Sequence, residues 1–151
     1  MKKMKLFAAM FCAMATLAFT SCSSDIEEDI IGTWKATKMT ATTTISGFTG
    51  EYAELNGTQT EDMSPEEGES FTITFNEDGT YVTVTVDEEG TETENGKYTI
   101  KDDKLIMDEM KCDVDIDGDN MTLTTKEKDT YNEDGQHATM ESKVVIKLKR
   151  I

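Results

Sequence analysis

From Phe71 onward, apolar and polar residues alternate with a period of two, broken by short turn-forming clusters. Phe71-Thr72-Ile73-Thr74-Phe75 sends Phe71, Ile73 and Phe75 to one side and its threonines to the other, as a half-buried strand requires. Asn76-Glu77-Asp78-Gly79 is a turn. Tyr81 to Val86 alternates again, and the pattern predicts Val82, Val84 and Val86 on the inward face. Tyr98 and Ile100 share a face of the next strand, Leu105 to Met107 is a short strand, and Cys112, Val114 and Ile116 share a face of another. A longer strand runs from Met121 to about Tyr131. The last runs from about His137 to Lys149, with Val144, Ile146 and Leu148 inward. A first strand from about Ile31 to Ile45 precedes them all. Residues 49–69 read as a long acidic connection with a short helix after Pro65. About eight strands in unbroken order predict an all-β, antiparallel up-and-down meander. Closing it into an eight-stranded barrel would remove its exposed edges. A two-sheet sandwich fits the local pattern equally well. The interior of an eight-stranded barrel is filled by side chains or holds one small ligand.

The first residues follow a different pattern. Met1-Lys2-Lys3-Met4-Lys5 is cationic, Leu6 to Phe19 is almost wholly apolar, and Thr20-Ser21-Cys22 follows. The apolar run is shorter than the roughly 20 residues of a membrane-spanning helix, so it reads as the core of a cleaved secretory signal. Three units are therefore expected: a signal over 1–21, an acidic tether over 22–29 and a β-domain over 30–151. The tether, Ser23-Ser24-Asp25-Ile26-Glu27-Glu28-Asp29, is polar enough to be flexible. Cys22 is the expected attachment point of a lipid, because its thiol can carry an acyl group.

Charge narrows the functional classes. The chain carries 15 basic and 31 acidic residues, a net charge of −16, and the leader contributes only lysines. That sign argues against nucleic acid as a partner, since phosphate recognition needs the opposite one. If Cys22 is the anchor and the leader is lost, Cys112 is left without a partner for an internal disulfide. Its alternation with Val114 and Ile116 makes it a small buried hydrophobe. Asp113-Val114-Asp115-Ile116-Asp117-Gly118 starts like a calcium loop, but Thr124 stands where a bidentate Glu is needed, so no metal site is expected. His137 has no second His to share a zinc ion. Nearly all the carboxylates read as turn residues or outward strand residues, and no phosphate loop or nucleophile elbow is present. No catalytic residue and no cofactor are expected, and the chain reads as a non-enzyme.

Three phrases carry a resemblance. Gly32-Thr33-Trp34 opens the first strand, Phe75-Asn76-Glu77-Asp78-Gly79-Thr80-Tyr81 joins two strands, and Gly96-Lys97-Tyr98-Thr99-Ile100 opens another. With the lipobox-like Phe19-Thr20-Ser21-Cys22 ahead of them, the chain resembles the bacterial, Bacteroidetes-type lipocalin-like lipoproteins from about Ile30 to its end. The resemblance implies a lipid-anchored protein of the outer membrane, displayed at the cell surface by the acidic residues after Cys22. It implies that Trp34 plugs one end of the barrel under Arg150, the single arginine. It also implies a small hydrophobic or amphipathic ligand, with Phe71, Ile73, Phe75, Val82, Val84 and Tyr98 as the candidate wall. The alternative is a ligand-free structural or interaction subunit of an envelope assembly. The sequence names no protein partner.

Overall fold

The computed structural model describes residues 25–151 apart from Glu109 and Asp134. The expected signal and Cys22 lie outside the described residues. A short helix, α1 (Asp25–Asp29), precedes β1 (Gly32–Ser46) and a 3₁₀ turn (Gly50–Leu55). Then come β2 (Gly57–Asp62), β3 (Ser70–Phe75), β4 (Thr80–Asp87), β5 (Gly90–Lys101), β6 (Lys104–Met107), β7 (Met110–Asp117), β8 (Asn120–Glu133) and β9 (Gln136–Arg150).

From β3 to β9 each strand pairs antiparallel with the next, and β1 joins β3 to β9. These eight strands close into a barrel. The seam is long: β1 and β9 stay paired from Trp34↔Arg150 to Ser46↔Thr139, with one irregularity between Ala36 and Lys38. The meander is the expected one, and closure decides between barrel and sandwich.

Two differences from the sequence reading lie in the connection and the tether. Residues 49–69 contain a ninth strand, because β2 pairs with the second half of β1, and Thr42 and Thr44 hydrogen-bond Thr60 and Thr58 through their hydroxyls at 3.1 and 3.0 Å. No helix forms after Pro65. The chain is tied down instead, with the Met63 amide donating to the Met39 carbonyl at 2.8 Å and the Met39 amide to Ser64 Oγ at 3.0 Å. Asp25–Asp29 is helical rather than loose. Ile26 and Ile30 stand one turn apart, so both reach the barrel core.

Register corrects the valines. Phe75 pairs with Tyr81, Ile73 with Thr83 and Phe71 with Thr85, so Tyr81, Thr83 and Thr85 share the inner face. Val82 and Val84 pair with Thr74 and Thr72 and lie half-buried on the outside. The physical reason is the five-residue turn Asn76–Thr80. It sets Tyr81 opposite Phe75, and a slip of one residue would send the whole strand to the other face. The turn is held by Thr80, whose amide and hydroxyl both donate to Asp78 Oδ1 at 3.0 and 2.6 Å. Those bonds hold the Asp78 carboxyl below its usual range.

Candidate functional site

One end of the barrel is sealed. Trp34 is fully buried, and its Nε1 donates to the Ile30 carbonyl at 2.8 Å. The Arg150 guanidinium carbon lies 4.2 Å from the Trp34 ring centroid. Arg150 also donates from Nη1 to the Ile31 carbonyl and from Nη2 to the Asp29 carbonyl, each at 2.6 Å. A partly exposed cation over an aromatic face contributes ~1 kcal/mol. The guanidinium passes so close to Gly32, which holds φ +127°, that a Cβ there would sit 2.7 Å from Nη1. Glycine at that place is what lets arginine reach over tryptophan.

Above the seal lies a packed floor. Ile73, Phe75, Tyr81, Leu105, Met121 and Leu148 are all buried there. Of the six residues expected to form a ligand wall, the structure brings four together on the inner face: Phe71, Ile73, Phe75 and Tyr98, all buried. Phe75 and Tyr98 meet edge to face at 5.0 Å, and the Tyr98 hydroxyl donates to the Asn76 carbonyl at 2.8 Å. Burial, with the charges of Asp78 and Glu27, raises the pKa of that phenol. Val82 and Val84 do not join the wall.

Sequence reasoning missed Tyr81, Gly96 and Asp108. Tyr81 lies across Gly96, where an added Cβ would meet the ring at 2.7 Å. Its hydroxyl donates to Asp108 Oδ2 at 2.7 Å, at the corner between β6 and β7. The aromatic ring can cross β5 only because Gly96 has no side chain.

The upper half of the inner face is mostly polar. Thr83 pairs with Glu94 and Thr85 with Glu92. Across the barrel, Thr125 and Val144, then Glu127 and Ser142, then Asp129 and Met140 continue the face that Leu123 and Ile146 begin below. The expectation that strand carboxylates point outward is therefore corrected for Glu92, Glu94, Glu127 and Asp129. A signal for them existed. Counting back by twos from Tyr98 gives Gly96, Glu94 and Glu92, and counting on from Leu123 gives Thr125, Glu127 and Asp129. Partial burial and repulsion from Glu92 raise the pKa of Glu94. At the far rim, Phe48 meets Tyr52 and Tyr131 at centroid distances of 6.4 and 5.8 Å.

The remaining reactive groups are engaged. Burial, with the nearby Asp113 charge, pushes the Cys112 thiol up to about 12. Asp113 is paired with Lys104 and Lys126, and its carboxyl is held below the usual range by Lys104 first. His137 Nδ1 lies 2.6 Å from Asn132 Oδ1 on an exposed strand.

A family profile described as a lipocalin-like domain matches residues 30–143. No curated protein and no solved structure gives a match.

Proposed function

Because the chain belongs to the lipocalin-like domain family, matched over most of its length, we propose that it binds a small apolar or amphipathic ligand while tethered to the cell envelope. The observation that carries this reading is the inner surface, apolar and packed at the floor and polar above it. Phe71 and Ile73 end the apolar part of β3 beside Thr85 and Thr83, where an amphipathic molecule would find both kinds of contact. The tether rests on the sequence: a cationic start, a short apolar run and Cys22, in the order of a bacterial lipoprotein signal. No helix among the described residues is long and apolar enough to cross a membrane. Arg150 holds α1 at the sealed end. A lipid on Cys22, just before that helix, would leave the polar half clear of an outer-membrane bilayer. The reading is of a binding protein and not an enzyme, since burial keeps the Cys112 thiol protonated and His137 and Asp113 are already bonded.

Native mass spectrometry of the protein extracted from its own cells tests both parts. The expected result is an acylated Cys22 at the start of the chain and a retained small molecule. An unmodified mass, or a Cys22→Ser chain that still partitions with membranes, would remove the tether. A retained protein subunit with no small molecule would favour the ligand-free interaction role, to which the exposed rings of Tyr52 and Tyr131 are suited.

A further inference from the structure

We infer that the ligand is an organic cation, its ammonium group held by Glu94 and Glu92 beside Thr83 and its apolar part resting toward Phe71 and Ile73. This rests on the ligand-binding reading above and names the chemistry of that site. The first observation is a sorting of charge. Every lysine among the described residues is exposed and stands on the outer face of its strand, as Lys97, Lys126, Lys128 and Lys143 illustrate. The one arginine is committed to the sealed end. The inner face carries Glu92, Glu94, Glu127 and Asp129, and among the described residues none of these four is ion-paired with a lysine or with Arg150. Such a face attracts positive charge and repels anions.

The second observation is independent of those acids. Among the described residues Thr83 is the one buried polar residue, 3 % exposed, and its hydroxyl makes no hydrogen bond there. It stands between Ile73 and Glu94 on the inner face. A hydroxyl closed off from water without a partner is unfavourable, so the site is incomplete as the chain alone builds it. An ammonium N–H can donate to Thr83 Oγ1 and to both carboxylates, whereas a carboxylate ligand would meet like charge. A bare metal ion fits less well, because among the described residues no three acidic, histidine or cysteine side chains gather at ligating distance.

Isothermal titration of the full chain with three matched probes tests this: 4-phenylbutylamine, 4-phenylbutanol and 4-phenylbutanoate. The amine should bind at least about tenfold more tightly than the alcohol, and the carboxylate more weakly than either. Replacing both acids, Glu92→Gln with Glu94→Gln, should bring the amine to the affinity of the alcohol and leave the alcohol unchanged. If that pair does not fold, Glu92→Gln alone, at the more exposed position, gives the same comparison. Equal binding of amine and alcohol would overturn the cation and leave the ligand-binding reading standing. Failure of both to bind would overturn the two together.

Discussion

The two halves of this barrel are built from the same strands and obey different rules. β9 shows it within one face: Leu148 and Ile146 are buried, Ser142 is half-buried and Met140 is 41 % exposed. β5 repeats the change from Ile100 and Tyr98 to Glu94 and Glu92. Near the seal, large apolar side chains meet across the interior, and burial at ~25 cal/mol per Å² holds the strands in place. Toward the rim most inner positions are threonine, serine, glutamate or aspartate, with Val144 and Met140 among them, and these gain less by facing one another. Stability is thus concentrated at one end, and the residues at the other are free to answer to a ligand.

The most severe test of that division is Trp34→Ala. It should cost ~3–5 kcal/mol in urea unfolding, and it also removes the ring under Arg150. Thr43→Ala, on the inner face near the rim, should change stability by no more than ~0.5 kcal/mol. Comparable losses at the two sites would mean that the halves are not distinct. Gly96→Ala sits at the boundary. The new methyl must displace the Tyr81 ring and its bond to Asp108, so a loss of ~1–3 kcal/mol is expected by the same measurement. Tyr81→Phe should then lose less, because it keeps the ring in place.

The smallest effect concerns pH. Burial and Glu92 raise the pKa of Glu94 above its ordinary 4.5. The folded chain therefore holds that proton more firmly than the unfolded one. Its contribution is present at low pH and is lost as pH rises from the ordinary value through the raised one. Glu94→Gln should flatten this part of a melting-temperature profile taken from about pH 4 to about pH 7. An unaltered profile would show that Glu94 is as well solvated as a residue on the outer face.

The sequence was most legible where chemistry and geometry agree. Phe71, Ile73 and Phe75 differ so sharply from the threonines between them that only one face could be buried. In β4 the contrast fails. Threonine and valine are both β-branched and nearly the same size, so the pattern fits either face and the turn after Phe75 decides. The connection at 49–69 hid a strand because β2, Gly-Thr-Gln-Thr-Glu-Asp, is exposed throughout and has no apolar phase to read. The inner acids were overlooked for a related reason: position within a barrel, not side-chain polarity, makes a residue face inward. Tyr81 over Gly96 depended on a contact between neighbouring strands that no local pattern encodes.

The pairing of the first strand with the last has a consequence for how the molecule comes into being. A growing chain can zip β3 to β4 to β5 as each hairpin emerges. It cannot cover the free side of β1 until β9, more than ninety residues later, has been made. Contacts so distant in sequence form slowly. Until then β1 and β8 offer bare backbone to any passing strand, so the interval before the ring shuts is when this protein is most exposed to joining a neighbour instead of itself.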